Sequence, residues 1–297
     1  MLTTILAVWL WLAEARRWLR WLGVVAFLAV VIQGVLGGLR VVLFKDEIGV
    51  FHATLAQLFF ALVCAMALFT SRWWAERRAP ALRDSEMQDR NQRAELELRA
   101  PIRRLFLATT ILIFLQLILG ATMRHQHAGL AIPDFPLAHG KLWPAMDAAS
   151  IQNYNARRVE TTAANPITAF QIGLQMAHRL MALAILVCVG AVAWRVRSSG
   201  FSRSGPPEGG TPNVLRRLAF LWPALILIQA GLGAWTIWSN IAADVATAHV
   251  LVGALSLVTG VLGCIICFGR IAREIEAQGT PGSEVSSVRR PATALNS

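Results

Sequence analysis

The chain carries six histidines, at positions 52, 125, 127, 139, 178 and 249, and three of them interrupt long apolar stretches. Counted to the first arginine beyond each stretch, His52 lies 20 residues before Arg72, His178 lies 17 before Arg195 and His249 lies 21 before Arg270. At a rise of 1.5 Å per helical residue, all three stand about 25–32 Å above a basic flank, in one layer. An ionisable side chain at such a depth in an apolar helix marks a functional site. Neutral imidazole is the usual axial ligand of haem iron, and two imidazoles on facing helices at equal depth would bracket a flat macrocycle. The competing reading is a helix–helix hydrogen bonder, the commoner role of a single membrane histidine. Three at one depth favour the ligand reading for His178 and His249, whereas His52 has no second histidine in its own half. Arg179, beside His178, has two open readings: it neutralises a haem propionate, or it snorkels to headgroups. His125 and His127 open a loop without a third ligand, which reads as a solvated interface rather than a metal site.

The elements that must hold these residues are membrane helices. Apolar residues make up 56% of the 297 positions and charged residues 15%, with a mean hydropathy of +0.52. A soluble domain of this size carries far more polar surface. Seven apolar blocks stand out: Met1 to Ala13, Trp21 to Val41, Gly49 to Thr70, Leu105 to Met123, Ile167 to Trp194, Leu218 to Trp238 and Thr247 to Phe268. Six are long enough to cross a bilayer of about 30 Å; the first, at about 20 Å of helix, falls short. The expected class is an all-α integral membrane protein, because helices satisfy their own backbone groups in lipid.

The net charge of +11 does not point to nucleic acid. If the connections alternate sides, residues 14–20, 71–104, 195–217 and 270–297 hold 21 Lys/Arg, against 6 in 40–48, 124–166 and 239–246. That asymmetry sets orientation, with the basic set cytoplasmic. It predicts a cell (inner) membrane protein with loop 124–166 extracytoplasmic and the C-terminus cytoplasmic. The expected organisation is an incomplete first bundle at 1–75, a solvated cytoplasmic linker at 76–104, a second bundle at 105–269 and a cytoplasmic tail at 270–297. The stretch SSGFSRSGPPEGGTPN reads as a flexible loop. Cys64, Cys188, Cys264 and Cys267 all lie in apolar blocks, so the C-x-x-C at 264–267 reads as small buried hydrophobes. The opening residues lack a basic n-region and a small-residue cleavage site, and no cleavable signal is expected.

An internal repeat relates the halves. Gln33-Gly34-Val35-Leu36-Gly37 aligns with Gln229-Ala230-Gly231-Leu232-Gly233, and Gln116-Leu117-Ile118-Leu119-Gly120 repeats the same Q-x-x-L-G pattern. His52 follows its glutamine by 19 residues and His249 by 20. Small residues on one face let helices, or a flat ligand edge, approach closely.

The loop Gly129-Leu130-Ala131-Ile132-Pro133-Asp134-Phe135-Pro136-Leu137-Ala138-His139-Gly140-Lys141 resembles the G-L-x-x-P-D-[WF]-P-x-x-x-G-[KR] signature of the haem A synthase family. The pair His178-Arg179 and the histidine His249 near the start of the closing helix match that family too. The resemblance runs from about Trp18 to Phe268. It implies two similar four-helix bundles, each giving histidines from its second and fourth helices. It further implies haem b held by His178 and His249 with Arg179 alongside. Haem O would be the substrate near His52, its ring methyl oxidised through hydroxylation to a formyl group for cytochrome oxidase biogenesis.

The chain departs from that pattern in the first half. The family's Glu-x-x-His-Arg motif, the signature loop of that half and its first helix have no counterpart before Trp21, so no catalytic residue is assigned there and His52 is kept as a substrate-haem ligand. The short first block looks like a second helix cut after its ligand, which predicts either an internal Met1 or a degenerate relative. Gln175 stands three residues before His178, where a carboxylate would be needed for a reacting haem. Two functions follow as expectations: a haem A synthase-type oxidoreductase, or a membrane cytochrome b-like protein that only holds haem and passes electrons. Expected partners are membrane lipid, haem O, haem O synthase and an electron donor that the sequence does not identify. A transporter fits less well, because no central charged residues line a midplane path.

Overall fold

The computed structural model describes residues 1–76, 86–157, 166–198 and 211–278. Among these, nine helices follow in chain order. They are α1 (Leu2–Ala13), α2 (Arg17–Leu43), α3 (Asp46–Thr70), α4 (Arg72–Glu76), α5 (Glu86–His125), α6 (Ala148–Ala156), α7 (Ala169–Ser198), α8 (Thr211–Trp238) and α9 (Ala243–Gln278). Six contain apolar spans long enough to cross a membrane: Arg17–Leu43, Asp46–Thr70, Ala100–His125, Ala169–Ser198, Val214–Trp238 and Ala243–Gly269. The protein is an all-α, multi-pass membrane protein, and the six expected spans and the short first segment are all present as helices.

Helix packing separates two halves. In the second, α5 touches α7 and α9, α7 touches α8, and α8 touches α9, which closes a ring with α7 and α9 on one diagonal. In the first, α1 packs on α2 and α2 on α3. Helix α3 also packs on α5 and α9 and so joins the halves. Helix α9 is the central element, with half of its span buried. Glycines on it let neighbours in: a Cβ on Gly260 would sit 2.5 Å from Thr110 Oγ1 and 2.6 Å from Trp222 Cζ2, and one on Gly263 would sit 2.5 Å from Phe106 Cε1. Phe106 and Trp222 stack at 5.2 Å, both fully buried, and Trp222 Nε1 donates to Ser256 O at 2.8 Å. Because the indole N–H finds a carbonyl, this large ring fills the core without an orphan donor.

Within the expected linker, 76–104, the backbone is helical from Glu86 onward and runs unbroken into the α5 span, through Pro101. The run of Glu, Gln, Arg, Leu and Ala there has strong helix propensity. Residues 77–85, most of the loop SSGFSRSGPPEGGTPN (199–210), part of the long loop (158–165) and the tail beyond Gln278 lie outside the described residues. The four cysteines form no disulfide and sit within apolar helices, as expected; Thr110 Oγ1 lies 3.5 Å from Cys264 Sγ.

A charged corner ties α1 to the rest. Glu14 accepts from Arg16 Nε and Nη2 at 2.8 Å each, and Arg16 Nη1 donates to Phe69 O at 3.1 Å. The Arg16 hydrogen bonds hold the Glu14 carboxyl at about 2, down from 4.5. The depressed folded value means that this corner contributes its full stability above pH 4.5 and loses it as pH falls toward 2. Glu14→Gln is therefore expected to lower the melting temperature in detergent at pH 7, with the gap to wild type narrowing at pH 3. A gap that does not change with pH would remove the electrostatic account.

Candidate functional site

Each of the three Q-x-x-L-G copies seats one imidazole. A Cβ on Gly37 of α2 would lie 3.4 Å from His52 Cε1 of α3; one on Gly120 of α5 would lie 3.3 Å from His178 Cε1 of α7; one on Gly233 of α8 would lie 3.1 Å from His249 Cε1 of α9. The glutamine one turn away on the same face completes the seat. Gln33 Nε2 donates to His52 O at 3.1 Å and Gln116 Nε2 to His178 O at 2.9 Å. In the third copy Gln229 Nε2 instead lies 3.4 Å from the His249 ring at Nε2. The glycines expected to admit a flat ligand edge are occupied by histidine rings. A glutamine and a glycine four residues apart share a helix face, so the repeat itself carried this signal.

Packing contacts place the three rings at one level. Leu117 of α5 meets Gly253 of α9. Three residues onward α5 reaches Gly120, the His178 seat, and four residues back α9 reaches His249, so these two rings differ in height by about 2 Å. The His125 ring lies on Gly49 of α3. Three residues from Gly49 to His52 and five from His125 to Gly120 leave His52 within about 3 Å of the same level. His178 and His249 therefore stand on diagonal helices of one ring, at nearly equal height.

The bundle packs less tightly at this height. One core lies toward the basic side, around Phe106, Ile113, Val189, Val192, Trp222 and Leu257. A second lies under the loop, around Ala131, Ile132, Ala138, Ile167, Ile172 and Met176. Between them no residue is buried across 114–127 of α5, 177–184 of α7, 227–233 of α8 or 246–252 of α9. Closely packed helices bury their inward side chains, so this belt, about 10 Å tall, packs less tightly than the cores on either side. Within it His178 Nδ1 and His249 Nδ1, like His52 Nδ1, have no hydrogen-bond partner although each atom is buried. Buried polar atoms are rarely orphaned, and each of these Nδ1 atoms lies on the glycine side of its ring, 3.7–3.9 Å from the would-be Cβ.

A fixed cap covers the loop side of the belt. Gln175 is 2% exposed; its Oε1 accepts from Ile132 N at 2.7 Å and its Nε2 donates to Ile132 O at 3.1 Å and Gly129 O at 3.3 Å. One turn on, Arg179 donates to Leu137 O at 2.8 Å and Asp134 O at 2.7 Å. Arg179 thus ties down the loop through Nη1 and Nη2, while its Nε is buried without a partner. The loop is also tied internally, by Asp134 accepting from His139 N and Gly140 N at 2.7 and 2.8 Å and by His139 stacking on Tyr154 at 3.7 Å. Asp147 caps α6, and its Ser150 hydrogen bonds hold its carboxyl below the ordinary value. Sequence reasoning missed the parts played by Gln175 and Tyr154. Arg179→Ala is expected to raise the rate of proteolytic cutting within 129–141 severalfold while the helical circular dichroism stays unchanged. An unchanged cutting rate would show that the loop holds without it.

His125 also departs from expectation. Rather than facing solvent, it lies on Gly49 between the halves, because glycine leaves room for the ring; His127 is exposed as expected. Among the described residues no three or more His, Cys, Asp or Glu side chains gather around a possible ion. Two opposed imidazoles are a smaller set, suited to a haem rather than a bare cation.

The sequence matches the family model described as Cytochrome oxidase assembly protein (COX15-CtaA) over residues 1–261. It is similar to a heme A synthase of Caulobacter sp. (strain K31), 31% identical over 50% of this chain and 37% of the relative. It is also similar to one of Agrobacterium fabrum (strain C58), 34% identical over 47% and 33%. A third, from Geobacillus kaustophilus (strain HTA426), is 26% identical over 64% of this chain and 49% of its own. The chain spans less than half the length of each of these relatives. With the family model covering most of its residues, the chain belongs to the cytochrome oxidase assembly protein family COX15-CtaA.

Proposed function

We propose that the chain is a haem A synthase-like membrane oxidoreductase, acting on haem O and converting its ring methyl to a formyl group. The observation that carries this reading is the pair His178 and His249, level on diagonal helices, each seated on a glycine and each with a buried Nδ1 that has no partner. These residues fit a bis-imidazole haem b, which when bound would supply one-electron transfer. His178 and His249 would hold it, Gly120 and Gly233 would fix their rings, and the cap held by Gln175 and Arg179 would exclude water from the loop side. His52 would serve the substrate haem O in the first half. The basic side faces the cytoplasm and the loop the outside of the cell (inner) membrane. Haem O synthase is the natural supplier of the substrate, and a separate redox protein exchanges electrons.

A second reading, a cytochrome b-like protein that holds haem without acting on haem O, is favoured by a specific observation. Gln175, three residues before His178, is neutral and committed to the loop backbone. The test is to express the full chain with haem O supplied, then extract the haem and weigh it. Haem A in the extract supports the oxidoreductase. Recovery of haem O alone, with the haem at His178 and His249 intact, supports the second reading.

A further inference from the structure

We infer that Arg40 and His125, one helical turn outside His52, form a carboxylate-binding pair that receives the propionates of a tetrapyrrole held in the first half. This rests on the reading of His52 as a haem ligand. The placement follows from the seats already described. Arg40 stands three residues beyond Gly37 on α2, and Gly37 faces the His52 ring. The His125 ring lies on Gly49, three residues before His52 on α3. A turn of three residues is about 4.5 Å along the axis, so both groups stand just to the loop side of the imidazole. Arg40, Arg124, His127 and Asp46 all lie within electrostatic reach of the His125 ring. Asp46 is the acid in this set, and Gln126 Nε2 donates to its Oδ2 at 3.4 Å. The balance of the cluster is cationic.

The chemistry of the ligand supplies the other half of the argument. Propionates are ionised and cannot rest in hydrocarbon, so a tetrapyrrole at the histidine level turns them toward the nearer polar boundary, the loop side. Something cationic must meet them there, and Arg179 belongs to the second half, on α7, which packs on α5 and α8. Arginine presents a fork matched to a carboxylate. Arg40 is exposed where the two halves adjoin, open to an incoming acid group.

The test uses the full chain in phosphatidylcholine nanodiscs, which carry no anionic lipid to compete for the cluster. Ferric protohaem and its dimethyl ester, which lacks the two charges, are titrated by Soret absorbance, and His52→Ala identifies the first-half contribution. Wild type is expected to prefer the free acid over the ester at the His52-dependent site on the order of tenfold. Arg40→Gln and His125→Gln are each expected to shrink that preference severalfold, leaving ester binding unchanged; Arg40→Lys should restore part of it. The His178–His249 site should keep its own affinity in every variant, which also shows that the variants fold. An undiminished preference in both Arg40→Gln and His125→Gln overturns the proposal while leaving the haem reading of His52 in place. The absence of any His52-dependent binding in wild type overturns that reading and the proposal together.

Discussion

His178→Ala and His249→Ala are each expected to abolish the six-coordinate haem spectrum of the purified protein, lowering haem affinity by more than about 100-fold. Groups that merely orient a metal ligand are commonly worth 10–100-fold, and an axial ligand stands one bond closer to the iron. The two variants should resemble each other and the double variant, because one remaining imidazole cannot close a six-coordinate site. His52→Ala should leave this spectrum unchanged. The alternative, in which these histidines only bind neighbouring helices, predicts a loss of about 1–2 kcal/mol of stability and no spectral difference. Optical spectra of the variants at matched protein concentration distinguish the two outcomes.

The second large effect concerns residues that touch no haem at all. Gly233→Val and Gly120→Val are expected to weaken haem binding by about 10–100-fold, by pushing the imidazoles off their seats. A Cβ at these positions would already stand 3.1 and 3.3 Å from His249 and His178 Cε1, and the added methyls have no room behind the ring. Gly231 and Gly190 meet nothing within 4 Å, so alanine at either should leave haem binding as it is. Haem titration of the four variants, with circular dichroism to confirm helix content, makes the comparison. Equal losses at all four positions would mean that the effect comes from helix disruption and not from the ring seats.

Much of this architecture was legible in the residue order. The apolar blocks gave the six spans, because about 20 apolar residues in a row have few other stable uses. Counting from basic flanks to His52, His178 and His249 gave their common level, which packing between Leu117 and Gly253 and between His125 and Gly49 reproduces. What counting could not give was the direction of side chains. Arg179 sits beside a histidine whether it faces a ligand, headgroups or loop carbonyls, and only the fold of 129–141 brings Leu137 O and Asp134 O within its reach. Gln175 likewise read as a carboxylate replaced, when its amide in fact matches both the N–H and the C=O of Ile132. The helical start of α5 was hidden by its charge, since polarity alone does not separate a solvated helix from a solvated coil.

The glutamine–glycine pair explains how one short pattern recurs in both halves. Glycine opens a gap the width of an imidazole, and glutamine at the same face fastens the histidine's own helix through its main-chain oxygen at His52 and His178. Ring and backbone are thus fixed together, which suits a ligand that must meet a flat group from one side at a set height. Buried amides left with free acceptors are the cost: Gln33 Oε1, Gln116 Oε1 and Gln229 Oε1 all lack partners.

Near-infrared magnetic circular dichroism of the ferric 297-residue chain addresses the pairing of His178 with His249 most directly. The charge-transfer band of a low-spin haem with two imidazole ligands is expected, at one haem per chain, disappearing in His178→Ala and in His249→Ala. A high-spin spectrum, or a low-spin one that survives both substitutions, would contradict it.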